Sequence, residues 1–196
     1  MPDNYLLVKG ANGYTVKVKL VELADGTFAV KSDAQLTGST VAQKASASQT
    51  RPSNATAYAA NQVVGQNPAA NMVFATNLPA GNGFVILSAH LRIDRNAIPA
   101  GMGSFRLHLY DAAPTAIVDG AAYNLPSGDR SKYLGHVTLF SPTLLGDTII
   151  LQATDVNLVG KLAAGSSSIW GINTTLSAFT PTAQAVKTVT LNVVAL

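Results

Sequence analysis

Three histidines, nine aspartates and one glutamate are the side chains of this 196-residue sequence that could bind a metal ion or transfer a proton. The histidines are His90, His108 and His136. Each lies in a predicted strand, and none stands in a local cluster of ligands. Because a metal site needs three or four convergent ligands, we interpret all three as outward-facing residues of strands.

Three of the aspartates, Asp111, Asp119 and Asp129, lie in the long connection between Tyr110 and His136. Aspartates in loops can bind Ca²⁺, but their spacing matches neither an EF-hand loop nor an acidic repeat. Aspartate also stabilises turns by accepting a hydrogen bond from nearby backbone. We therefore predict that these are turn residues, and that the chain has no metal site.

A hydrolase would need an activated nucleophile or a pair of carboxylates, and neither is recognisable. The motif Gly-x-Ser-x-Gly does not occur, and residues 165–168 are typical of a serine-rich turn. Glu22 is the only glutamate, the aspartates are scattered, and cysteine is missing. The glycine pairs in 81–83 and 101–103 lack the lysine of a phosphate-binding loop. The sequence predicts no catalytic residue, no cofactor and no enzyme activity.

An aromatic pair offers one further kind of chemistry. Trp170 and Tyr110 could form a platform on which a sugar ring stacks. A single tryptophan in a strand more commonly packs in a core or in an interface. Packing is therefore the leading interpretation of these two residues, and sugar binding is the alternative.

Charge is scarce in this sequence. Charged residues make up 12% of the chain and hydrophobic residues 47%, whereas soluble domains usually carry about 25% charged residues. Surfaces buried against partners avoid charge, because removing water from a charge costs free energy. The net charge of +3 comes from scattered residues, so we predict no nucleic-acid partner. No apolar run is long enough to span a membrane, and the first residues lack the features of a signal peptide.

The first thirty residues predict a three-stranded meander. Asn12-Gly13 and Asp25-Gly26 are hairpin signals, because these residues tolerate positive φ angles. Three short strands bury too little surface to stand alone, so we predict that the apolar face of the middle strand is an interface. Residues 31–50 contain almost no large apolar residue and predict a linker or an extended arm. The predicted interface positions are Tyr14, Val16, Val18 and Leu20.

The remainder of the chain, residues 51–196, predicts an all-β domain. Short runs of strand-forming residues are separated by Gly, Pro, Asn and Asp, which is typical of an antiparallel β-sandwich and most simply of a jelly roll. Weaker strand candidates lie near Val63 and Val156. The domain division is thus 1–50 for meander and arm, and 51–196 for the sandwich. The predicted strands are 72–75, 84–94, 104–110, 136–140, 148–154, 168–173 and 186–196.

Several stretches resemble proteins encoded near the major capsid gene of tailed bacteriophages. The resemblance covers most of the chain, and its motifs are structural. It implies a virion component, either a decoration (cement) protein or a head fibre, without catalytic residues and usually trimeric. The stretches are 5–10, 23–27, 50–52, 56–60, 63–65 and 105–110, continuing with Pro114-Thr115, Asp119, Asp129 and 133–135.

The leading expectation is a structural protein on the capsid surface of a virion assembled in the bacterial cytoplasm. Its partners would be the major capsid protein and two further copies of itself in a homotrimer, with neither nucleic acid nor a membrane involved. The alternative is a carbohydrate-binding attachment module of a fibre or tail, with a host glycan as its partner. An enzyme that degrades the cell envelope is the third class, and the lack of a catalytic motif disfavours it.

Overall fold

A computed structural model describes the backbone of residues 5–9, 15–22 and 28–30, and residues 42–196 in full. The chain divides into two compact units, residues 1–37 and residues 38–196. The smaller unit is an antiparallel sheet in which the strands follow one another in chain order, as predicted for the meander. Its strands are β1 (Tyr5–Lys9), β2 (Thr15–Glu22) and β3 (Phe28–Val30).

The larger unit is a single antiparallel sheet of nine strands. Its order is β4-β12-β6-β9-β8-β7-β11-β5, with β10 pairing to β6 beside this path. Among the described residues no helix is long and apolar enough to cross a membrane. The strands are β4 (Gln43–Thr50), β5 (Met72–Ala75), β6 (Gly83–Ile93), β7 (Phe105–Tyr110), β8 (Tyr133–Leu145), β9 (Thr148–Ala153), β10 (Leu158–Lys161), β11 (Ser168–Thr175) and β12 (Val186–Ala195), and a 3-10 helix covers Ser127–Lys132.

Strand β8 makes the sheet close on itself almost completely. The first part of β8 pairs with β7 and its second part pairs with β9, with a register shift between Phe140 and Thr143. The two end strands of the order, β4 and β5, are neighbours in space. The chain is therefore all-β with a nearly closed antiparallel sheet, and its apolar core lies inside that sheet.

The core forms because alternate residues of each strand point inward. On β12 the inward positions include Val189, Leu191 and Val193, which are fully buried. Strand β6 changes phase in the middle, since Ile86 and Ala89 are both buried although three positions apart. The register with β12 shifts at this point, and such a bulge lets one strand present residues of both parities to the core.

The predicted linker is wrong for residues 43–50, which form strand β4. This strand pairs along its whole length with β12, and its Ala45 and Ala47 are buried in the core. Its outward Ser46 and Ser48 lie 2.8 Å from the hydroxyls of threonines on β12. The larger unit therefore begins before residue 51, and the boundary between compact units falls at residues 37 and 38.

This correction leads to a prediction about truncation. Deletion of residues 1–37 should leave a protein that unfolds cooperatively, because the larger unit retains all nine strands. Deletion of residues 1–50 should lower the melting temperature strongly or cause aggregation, because it removes β4 and exposes the edge of β12. Circular dichroism during heating measures both. Equal melting temperatures for the two truncated proteins would show that β4 does not stabilise the sheet.

Candidate functional sites

A second, smaller apolar cluster lies on the outer face of β7 and β11. It forms because the connection between β7 and β8, residues 111–132, folds back over this face. Tyr110 is only 1% exposed beneath it and His108 only 5%, so the outward position predicted for His108 does not expose it to solvent. They project from the outer side of the sheet but are covered by the connection. The cluster contains Val63, Tyr110 and Ile172, with Ile117, Tyr123, Leu125, Tyr133 and Trp170 packed against it.

His108 is held inside this outer cluster by contacts on every side. Its ring stacks on Tyr123 with a centroid distance of 3.7 Å. Its Nδ1 lies 3.1 Å from the hydroxyl of Tyr133, and its Nε2 lies 3.3 Å from the hydroxyl of Thr174. Burial lowers the pKa of His108 to about 3, helped by the nearby His136 and Arg106. The imidazole is therefore neutral at ordinary pH and serves to pack the connection onto the sheet.

The other two histidines do not complete a metal site with it. His136 is directly opposite His108 on β8, with ring centroids 6.0 Å apart. His90 lies on a different part of the sheet, where it pairs with Thr190 and Gln152. Within residues 42–196 and the described strands of the smaller unit, no group of three or more His, Cys, Asp or Glu side chains could hold a metal ion.

The aspartates of the connection fasten it at separate points. Asp129 accepts hydrogen bonds from Lys132 Nζ and from the backbone N–H of Thr115, both at 2.8 Å. These bonds lower the pKa of Asp129 to about 2. The backbone N–H of Asp111 donates to the carbonyl of Lys132. Asp111 lies in a bend, as the turn interpretation predicts. Asp129 instead lies in the 3-10 helix and bonds the backbone of Thr115, fourteen residues earlier, and Asp119 has a different role.

Asp119 is the centre of a buried polar network that the sequence analysis did not find. Its carboxylate lies 3.3 Å from the guanidinium of Arg51 and accepts hydrogen bonds from the hydroxyl of Tyr58 at 2.5 Å and the backbone N–H of Gly65 at 2.9 Å. Arg51 in turn donates to Tyr58 and to the carbonyl of Thr182. Burial and the Asp119 carboxylate raise the pKa of Tyr58, so its hydroxyl keeps its proton.

Three cationic side chains line a cavity beside this network. Lys187 is 2% exposed and lines the cavity together with Arg51 and Arg95. Most of the remaining lining is apolar, for example Phe105 and Phe179. Burial lowers the pKa of Lys187 to about 7, the charge of Asp119 opposes this shift, and the charge of Arg51 adds to it.

The proposed aromatic platform is not available as predicted. Trp170 and Tyr110 are directly opposite each other on β11 and β7, but Tyr110 is covered and its hydroxyl lies 2.6 Å from that of Tyr123. Trp170 is half-buried in the same outer cluster. Packing, the leading interpretation of this pair, is therefore confirmed.

The predicted interface residues lie on the smaller unit. Val16 pairs with Val8 and Val18 pairs with Leu6, both across β1 and β2, whereas Leu20 pairs with Val30 of β3. Tyr14 lies outside the described residues. That these positions form an interface stays a prediction.

Three exposed apolar residues of the larger unit, Phe140, Leu144 and Leu145, lie on the hairpin formed by β8 and β9. Val159 of β10 and Leu196 are similarly exposed. Phe140 and Leu145 are each 62% exposed, and residues 143–147 are all exposed. Leu144 and Leu145 are successive residues of a strand and therefore point to opposite sides of the hairpin. A groove on one side is lined by Phe140, Ser141, Thr143, Leu145, Ile150, Gln152 and Thr154.

No protein-family model matches this chain, and no curated protein matches it in sequence.

The buried network around Asp119 predicts that the hydroxyl of Tyr58 contributes strongly to the stability of the fold. Tyr58→Phe should lower the free energy of unfolding by about 2 kcal/mol, because it removes a partner from both a buried cation and a buried carboxylate. The matched control is Tyr133→Phe, since the hydroxyl of Tyr133 contacts only histidines in a half-buried place. Urea unfolding measures both variants. A Tyr58→Phe protein as stable as Tyr133→Phe would show that the network is not important for folding.

The lowered pKa of His108 predicts that the folded protein becomes less stable in acid. The folded protein holds its pKa near 3 and the unfolded chain near 6.5, so below pH 6.5 the unfolded state binds the additional proton. Stability should therefore fall by about 2 kcal/mol between pH 6.5 and 5. Urea unfolding at several pH values should show this slope, and His108→Gln should remove most of it. His90→Gln is the control, and an unchanged slope in His108→Gln would contradict the assignment.

Proposed function

We propose that this chain is a structural protein of a tailed-phage particle, which binds the outside of the capsid and stabilises it by bridging neighbouring subunits. We further propose that the nearly closed sheet is a jelly roll. The observation that carries the functional proposal is the β8–β9 hairpin, whose apolar residues are exposed on both sides. The resemblance to proteins encoded beside capsid genes supports the same class.

The hairpin has the properties of an assembly element. A monomeric protein gains nothing from exposing Phe140, Leu144 and Leu145 on a projecting hairpin, whereas a contact with another subunit would bury them favourably. Only one charged residue, Asp147, lies at its tip. Little charge would therefore lose its water when a partner covers the hairpin.

The outer side of β4 and β12 supports the proposal through its chemistry. Paired hydroxyls occupy positions where a monomeric protein commonly has lysine or glutamate, as in Ser46 with Thr190 and Ser48 with Thr188. Such a surface loses little free energy when a partner removes its water. Many identical weak contacts on one capsid would add up through multivalency. The partners would be the major capsid protein and two further copies in a homotrimer, with β1–β3 as an additional assembly element.

A second candidate function is carbohydrate binding in a fibre or tail. The observation that favours it is the partial exposure of Trp170 and Tyr133, which lie together in the outer cluster. Half-exposed aromatic rings can stack on sugar rings. Binding of the purified protein on a glycan array, lost in Trp170→Ala, would favour this function over capsid decoration.

The test of capsid decoration is a pair of surface variants. Leu145→Asp should reduce binding to undecorated capsids at least tenfold, because it places a carboxylate in a contact that has to lose its water. Val118→Asp, at another exposed apolar residue, is the matched control and should bind normally. Sedimentation with capsids measures binding, and light scattering should show a trimer of the unaltered protein. Both variants should melt at the unaltered temperature.

Two results would contradict the proposal. If the unaltered protein neither sediments with capsids nor occurs in purified particles, it is not a decoration protein. If Leu145→Asp binds as well as Val118→Asp, the hairpin is not the contact, and the observation that carries the proposal fails.

A further inference from the structure

Two buried nitrogen donors lie on the lining of the cavity beside β12 and have no hydrogen-bond partner in the described part of the chain. They are Nζ of Lys187 and Nε of Arg95. The remaining nitrogens of Arg95 are fixed, since one donates to the carbonyl of Asp94 and the other to the carbonyl of Ala183. Buried donors without a partner are rare in folded proteins, because each costs free energy.

The register of β12 places Lys187 in this position. Lys187 has the same parity as Val189, Leu191 and Val193, whose side chains all point into the core. It pairs with Gln49 on one side and with Ile93 on the other. A charged lysine on the inward face of a central strand lowers the stability of the fold unless an acceptor compensates its charge.

The part of the chain that the structure describes does not supply that acceptor. The carboxylate that interacts with Lys187 is Asp119, which already accepts from Tyr58 and Gly65 and pairs with Arg51. The carboxylate of Asp94 is half-exposed and pairs with Arg92 at the surface. Around the cavity there are thus three cationic side chains against one engaged carboxylate, with two donors left over.

We propose that this cavity binds one small monovalent anion, of the size of chloride, between the amine of Lys187 and Nε of Arg95. The ligand must be an acceptor, because both free groups are donors. The cavity offers about 20 Å³ to the centre of a water-sized molecule, which is room for one such molecule. Sulfate, phosphate and organic acids are too large. This inference does not depend on the proposed function.

Anion binding is coupled to the protonation of Lys187. The lowered pKa of Lys187 means that the amine loses its proton above about pH 7 in the folded state. Below that pH the cation needs a counter-charge, and an anion that binds only the folded state raises its stability. As the pH rises past the folded pKa, the amine becomes neutral and the anion is released. The other charged groups around Lys187 are Arg51, Arg95 and Asp119.

The experiment compares melting temperatures in sodium chloride and in sodium gluconate of equal ionic strength. At pH 6 the protein should melt a few degrees higher in chloride, because gluconate is too large for the cavity. At pH 9 this difference should vanish. Lys187→Met should remove the difference at pH 6, since methionine fills the same apolar space without a charge. Lys161→Met, at an exposed position of β10, is the matched control and should keep it.

A second measurement decides the matter if Lys187→Met does not fold. A crystal of the unaltered protein grown at pH 6 and soaked in bromide should show an anomalous peak between Lys187 Nζ and Arg95 Nε. Equal melting temperatures in the two salts at pH 6 would overturn the proposal. So would a bromide-free cavity with an ordered water molecule between the two nitrogens.

Discussion

The carboxylate of Asp119 is the point at which the irregular segments of the larger unit are joined. Arg51 follows directly on β4, Tyr58 and Gly65 lie in the segment before β5, and Thr182 precedes β12; all four contact Asp119 or the guanidinium bound to it. Each segment would otherwise be free to move over the sheet. Because the pair is buried, removing one partner leaves the other uncompensated, so the arrangement of these segments is fixed together rather than one at a time.

The sequence predicted the strands well where large apolar residues alternate. Strand β5 was predicted to the residue, and the predicted bounds of β9 and β12 differ from the observed ones by one residue. Strand β4 was missed because its inward positions are Ala45, Ala47 and Gln49, which carry no hydrophobic signal. What makes β4 a strand is the neighbouring β12, whose threonines pair with its serines. A strand formed by its partner cannot be recognised from its own residues.

The candidate sites were less predictable, for two different reasons. The sequence analysis correctly placed His108 on the outer side of the sheet, but it could not show that a connection of twenty-two residues returns to cover this side. Lys187 is the opposite case, because its parity with the buried valines of β12 was visible in the sequence. The sequence analysis did not identify Lys187 as a buried residue, because lysine normally lies on the surface. A charged residue on the apolar parity of a central strand is a signal that could have found the cavity.

Three of the buried charged side chains of the larger unit, Arg51, Asp119 and Asp129, make directional contacts. An apolar, weakly charged surface loses little free energy of hydration when a partner covers it. Its contacts have little selectivity, however, since apolar contacts have no preferred direction. Selectivity then has to come from the shape of the surface, and shape depends on how firmly the segments behind it are held. The buried bonds around Asp119 supply that firmness, because a satisfied polar network fixes one arrangement. The cavity with Lys187 and the groove beside Phe140 share no lining residue. The residues around Lys187 and those of the exposed hairpin can therefore be substituted separately.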